Sequence, residues 1–188
     1  MNATAKEAKV PGFFSEAGIG RILAVGLVVF AALALQTTLL SRLTLLGVIP
    51  QLVLVVVICL AFLDGERVGI VSGFFGGLLL DLQLPPDSIV GLTALVYTMI
   101  GYGVGYFRQY STGESVWTPV FAVAVGSAAA EASYALLAII LGRSWVTLVF
   151  TAKVTGLVVL YDALLTPFVF PLIRRVADKF RPERIYRW

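Results

Sequence analysis

Uncharged stretches of about 20 residues, each closed by a charge, a glycine or a proline, recur along this chain, and a helix of that length spans the roughly 30 Å of a bilayer core. The first runs over 22–40, between Arg21 and Arg42. The second runs over 45–63, with Pro50 in its first turn and Asp64-Gly65-Glu66-Arg67 closing it. The third begins at Val68 and stops at Pro85-Pro86. Its uncharged part ends at Leu80, so it spans only with Asp81 at the far headgroup level, and is otherwise re-entrant. The fourth covers 89–107. The fifth, 116–141, carries one charge, Glu131, and the sixth, 146–172, carries Lys153 and Asp162. The pattern predicts an all-α, polytopic membrane protein of six transmembrane helices: a short tail over 1–20, a bundle over 21–172 and a basic tail over 173–188.

Composition agrees. Of the 188 residues, 59% are hydrophobic and 13% charged, against about 25% charged in soluble domains. Soluble enzymes and nucleic-acid readers are excluded on that ground. The chain has no His and one Cys, Cys59, which removes His/Cys metal sites, Cys–His nucleophiles and Ser–His–Asp triads. No cofactor is expected.

Charge sets the expected orientation. Of the 14 Lys and Arg, only Arg42 and Arg143 fall on one side of the six runs. Lys153 lies within a run, and the others share the opposite side. Basic loops stay cytoplasmic, so both termini are predicted to be cytoplasmic. Trp117 and Tyr110 then sit at the inner interface and Trp145 at the outer one. A cleaved leader is the competing reading of the first run, since Ala32-Leu33-Ala34 has the small-x-small form. That triplet lies inside the apolar run, which continues at Leu35.

Candidate chemistry is sparse. Gly69, Gly73 and Gly77 are four apart and line one helix face, open either to a neighbouring helix of the same chain or to a transmembrane helix of a partner. Intramembrane charge is costly, about 2.5–3.5 kcal/mol per residue on insertion scales. Glu131 and Lys153 fall at similar depth on adjacent antiparallel helices, which predicts an ion pair, with an ion pathway or a partner contact as alternatives. Asp162 falls on roughly the opposite face from Lys153, near Tyr161 and Thr166. Gln36 predicts an interhelical hydrogen bond. Asp81 and Asp87 flank the proline pair, and Asp87-Ser88 is placed to cap the fourth helix. The cations and aromatics of the C-terminal tail suit an anionic lipid surface, and so short a tail argues against nucleic acid.

Gly76-Gly77-Leu78-Leu79-Leu80-Asp81-Leu82, followed by Gly91-Leu92-Thr93-Ala94-Leu95, resembles the signature of the MreD family of rod shape-determining membrane proteins. Leu35-Gln36-Thr37-Thr38-Leu39-Leu40 and Gly47-Val48-Ile49-Pro50 are similar to its opening segments, and Pro167 ahead of Arg174-Arg175 to its last span. The resemblance reaches Gln36, Pro50, Gly77, Asp81, Gly91 and Pro167. It implies a non-enzymatic scaffold of the bacterial cell-elongation complex in the inner membrane, supporting peptidoglycan synthesis and cell shape. Its partners would be MreC and, directly or through MreC, MreB and RodA with its class B penicillin-binding protein. It also implies a fold similar to the substrate-binding subunit of energy-coupling-factor transporters. The alternative is therefore a small-molecule-binding membrane subunit of such a transporter. On the scaffold reading, Gly77, Asp81 and Gly91 fix the third-to-fourth hairpin and so, with Gly69 and Gly73, shape the face that meets MreC, while Gln36, Pro50, Glu131, Lys153 and Pro167 are structural. A ligand-binding subunit should show an outward polar or aromatic pocket of roughly 300 Å³ or more and also pair with a coupling helix through small residues. A scaffold should show closed outer loops and a partner-sized groove of small residues.

Overall fold

The computed structural model describes residues 19–42, 47–83, 89–110, 117–142 and 148–179. Expectations for the N-terminal tail, Asp87-Ser88, Arg143, Trp145 and 180–188 lie outside them. Among the described residues the chain is all-helical. The α-helices are α1 (Ile19–Thr38), α2 (Leu52–Asp64), α3 (Glu66–Asp81), α4 (Leu92–Phe107), α5 (Trp117–Ile140) and α6 (Leu148–Lys179). Each of the six apolar runs holds one. Three helical segments, Gly20–Arg42, Trp117–Ile140 and Ala152–Lys179, are long and apolar enough to cross a membrane.

The bundle is built around its shortest helix. α2 has 13 residues, about 20 Å at 1.5 Å each. It is apolar all round, and a helix of that kind belongs in an interior. Val53, Leu54, Val55, Val57, Ile58 and Ala61 are completely buried, and α2 packs against each of the other five helices. Its start differs from the expected Leu45. Pro50 has no N–H to donate and Gln51 is non-helical (φ −93°, ψ 67°), so the helix begins at Leu52. Pro50 itself is buried.

α2 and α3 are joined through a single residue. Gly65 stands at φ 92°, a left-handed region that glycine enters without steric penalty. Its N–H closes α2 on the Ala61 carbonyl (2.8 Å), and its own carbonyl accepts the first α3 bond from Gly69 N–H (3.1 Å). Glu66 and Arg67 are thus the first turn of α3 rather than loop. Asp64 ends α2, where a carboxylate opposes the negative helix end. Arg21 of α1 offsets this with an ion pair at 2.9 Å, the Asp64 side chain being 3% exposed.

α3 and α4 run antiparallel in backbone contact. A Cβ on Gly69 would stand 2.2 Å from the Gly101 carbonyl oxygen, one on Gly73 2.4 Å from that of Tyr97, and one on Gly77 2.5 Å from Ala94 Cα. The ladder is reciprocal: a Cβ on Gly101 would stand 2.3 Å from the Gly69 carbonyl oxygen, and one on Gly105 2.4 Å from the Glu66 backbone. Small residues permit such an approach. This corrects the assignment of Gly69, Gly73 and Gly77 to a partner-binding face: that face is filled by α4.

α6 also departs from expectation. It continues past residue 172, where a tail was expected to begin, to Lys179. Ile173 and Ala177, one turn apart, are buried in the core, so the apolar stripe carries the helix through Arg174 and Arg175. Pro167 and Pro171 both lie within α6, on its exposed side.

Gly101→Ala should lower the thermal unfolding midpoint in detergent, by an overpacking cost of about 1–3 kcal/mol. Gly103→Ala should be neutral or stabilising by up to about 1 kcal/mol, because nothing lies within 4 Å of its Cβ position. Equal midpoints for the two variants would contradict the ladder.

Candidate functional site

A helix start leaves four N–H groups unpaired, and away from water each needs a partner. α2 begins inside the bundle, and Gln51 provides no side-chain cap. Caps come from distant helices instead. Gln51 N–H donates to Asp162 Oδ1 of α6 at 2.9 Å. Val53 N–H donates to Gln36 Oε1 of α1 at 2.8 Å. Oxygen at this end also meets the positive pole of the helix dipole.

The caps extend into a network. Asp162 is fully buried, and its second oxygen accepts from Ser127 Oγ of α5 at 2.7 Å. Thr166 Oγ1 donates to the Asp162 carbonyl at 2.7 Å. The Gln51 side chain faces the other way: its Oε1 accepts from Tyr97 Oη of α4 at 3.1 Å, and its Nε2 donates to Glu131 Oε1 of α5. One glutamine therefore links two intramembrane carboxylates, Asp162 through its backbone and Glu131 through its amide.

Over this network lies a cavity of about 270 Å³. Its polar wall is Gln36, Gln51, Thr93, Tyr97, Glu131 and Tyr134, and its apolar wall Leu80, Val96 and Ala130. The space exists because α2, the central helix, is too short to fill the bundle to that end. Among the described residues, no three of His, Cys, Asp and Glu come together as a metal-binding group.

The start of α4 is held in the same manner. Asp81, the last residue of α3, is fully buried. Its Oδ2 accepts from Gly91 N–H at 2.9 Å and Ala94 N–H at 3.1 Å, and its Oδ1 from Thr93 N–H at 3.3 Å. Gly91 adopts φ 100° to begin the helix. Asp81 and Gly91 thus fix the α3–α4 hairpin, the local role expected of them.

The Glu131–Lys153 ion pair is not formed. Glu131 bonds to Gln51, and Lys153 is exposed on α6. Equal depth did not bring them together, because Lys153 and the buried Asp162 occupy different faces of α6. Gln51, Tyr97 and Ser127 escaped the sequence reading as functional positions. Gln51 carried one usable signal, a polar residue directly after Pro50 inside an apolar run.

A second feature lies between α4 and α5. A groove of about 410 Å³ is walled by Met99, Phe107, Phe121 and Val125 and floored in part by Gly103, Ala122, Gly126 and Ala129. Met99, Phe107 and Phe121 are strongly exposed.

The family model described as rod shape-determining protein MreD matches residues 18–176 of the chain. No curated protein and no solved structure matches it.

Asp81→Ala strands three N–H groups, at a cost of about 1–3 kcal/mol for a buried unpaired group. Its unfolding midpoint should fall well below that of Asp81→Asn, which keeps one acceptor oxygen. Coincident midpoints would contradict the capping role. Reversing the charges at 131 and 153 together should restore nothing that either single reversal loses, as read by folded yield from membranes.

Proposed function

The chain belongs to the MreD family and so has a role in rod shape determination, and from that premise we propose that it is a non-enzymatic scaffold of the bacterial cell-elongation complex. It sits in the inner membrane as a multi-pass protein with both termini cytoplasmic, and it binds MreC through transmembrane helix contacts. Through that contact it supports peptidoglycan synthesis, in company with MreB and with RodA and its class B penicillin-binding protein.

The observation that carries this reading is the α4–α5 groove. Helix association in lipid relies on close packing of small residues. The α3–α4 glycine ladder is consumed within the chain, whereas Gly103 still has open space at its Cβ position. Ala122 and Ala129, seven apart along α5, set small side chains on one helix face, while Gly126 between them is spent on Ile58 of α2. The exposed Met99 and Phe121 supply apolar contact at its margins. A single transmembrane helix of MreC fits a lateral slot of this kind.

A second reading, a small-molecule-binding subunit with a fold similar to that of energy-coupling-factor transporters, is favoured by the polar cavity of about 270 Å³. That volume lies just under the 300–1,000 Å³ of common ligand pockets.

Gly103→Leu should fill the groove and reduce co-purification of MreC at least tenfold, with the unfolding midpoint unchanged. Gly26→Leu, at the similarly open position between α1 and α3, should leave recovery unaltered. Full recovery with Gly103→Leu would overturn the assignment of this groove.

A further inference from the structure

The cavity over α2 carries more hydrogen-bonding capacity than the fold consumes. Glu131 Oε1 is occupied by the Gln51 amide. Glu131 Oε2 accepts no hydrogen bond from a described residue, and it is not among the sealed, unsatisfied atoms of the interior, so it opens on the cavity that Glu131 lines. Gln36 presents the complementary case. Its Oε1 caps α2, and its Nε2, with two N–H donors, has no acceptor among the described residues, while Gln36 lines the same cavity. Tyr97 Oη has spent its proton on Gln51 and can still accept.

Neither capping nor packing accounts for Glu131. The two N–H groups at the α2 start that are bonded to side chains go to Asp162 and Gln36. A neutral Gln at 131 would serve the Gln51 amide equally well. What a carboxylate adds at this position is negative charge. Among the described residues no cation pairs with it, and Lys153, the nearby candidate in sequence terms, is exposed on another helix face. Ionisable side chains within a bundle are expensive and mark sites where something charged is received.

We propose that this cavity binds a small polar group carrying a protonated amine, held by Glu131 through a charge-assisted hydrogen bond and by the Gln36 amide through an acceptor oxygen of the same ligand. The cavity of about 270 Å³ has room for a small amino alcohol or a phospholipid headgroup. Tyr97 and Tyr134 line the same cavity, and aromatic rings attract an ammonium. An amine of this kind is supplied either by a soluble amino alcohol or by the headgroup of an aminophospholipid.

The test uses the full chain in nanodiscs and no MreC, so its result is independent of the groove assignment. In phosphatidylcholine nanodiscs, ethanolamine is titrated and the unfolding midpoint followed. In a second arm, nanodiscs containing phosphatidylethanolamine are compared with phosphatidylcholine alone. Wild type should be stabilised in the first arm by a soluble amine, or in the second by a headgroup. Glu131→Gln keeps the bond to Gln51 and should retain the unliganded midpoint while losing at least tenfold in apparent affinity in the arm that responded. Tyr134→Phe removes a hydroxyl but keeps the ring, and should bind within about twofold of wild type. No stabilisation of wild type in either arm would overturn the proposal, as would equal stabilisation of wild type and Glu131→Gln.

Discussion

The architecture turns on one requirement: the N-terminal end of α2, buried in the middle of the bundle, must find hydrogen-bond acceptors where water is scarce. A 13-residue helix is too short to carry that end to a membrane surface. Gln36 from α1 and Asp162 from α6 therefore reach in to cap it, and Ser127 of α5 fixes Asp162 in place. The caps also tie the outer helices to the centre at one level. The cavity follows from the same shortness, since side chains and open space occupy the volume where another turn or two of helix would have been. Asp81 solves the same problem at the start of α4.

The glycine ladder divides the bundle. α3 and α4 approach until their backbones touch, and the one-residue turn at Gly65 binds α2 to α3. These three short helices form one connected unit. The longer α1, α5 and α6 carry the segments long and apolar enough to cross a membrane. Small residues thus play two parts. On α3 they are spent on internal packing, and between α4 and α5 they leave a slot open on the outside.

Much of the fold could be read from hydropathy alone, because six apolar runs became six helices. Helix starts were less accessible. Hydropathy placed the second helix at Leu45, while the missing N–H of Pro50 moved it to Leu52. The spacing of Gly69, Gly73 and Gly77 correctly put them on one face, but spacing names no occupant, and α4 took the place reserved for a partner. Glu131 and Lys153 were matched by depth, which is one coordinate. Rotation about the helix axis is the other, and it exposes Lys153 while burying Asp162. Gln51 was the hardest to foresee: its place after Pro50 marks a polar residue in an apolar run, but its partners meet it only when α4, α5 and α6 converge.

α6 runs for 32 residues, about 48 Å against a hydrocarbon core of about 30 Å. Even at the upper end of common tilts, about 40°, it reaches past the hydrocarbon. Arg174, Arg175 and Lys179 are therefore mounted at set angles on a rod whose Ile173 and Ala177 remain gripped by the core. Inserting one residue just before them would swing this positive charge by about 100° around the axis, a change that a slack tether would absorb unnoticed.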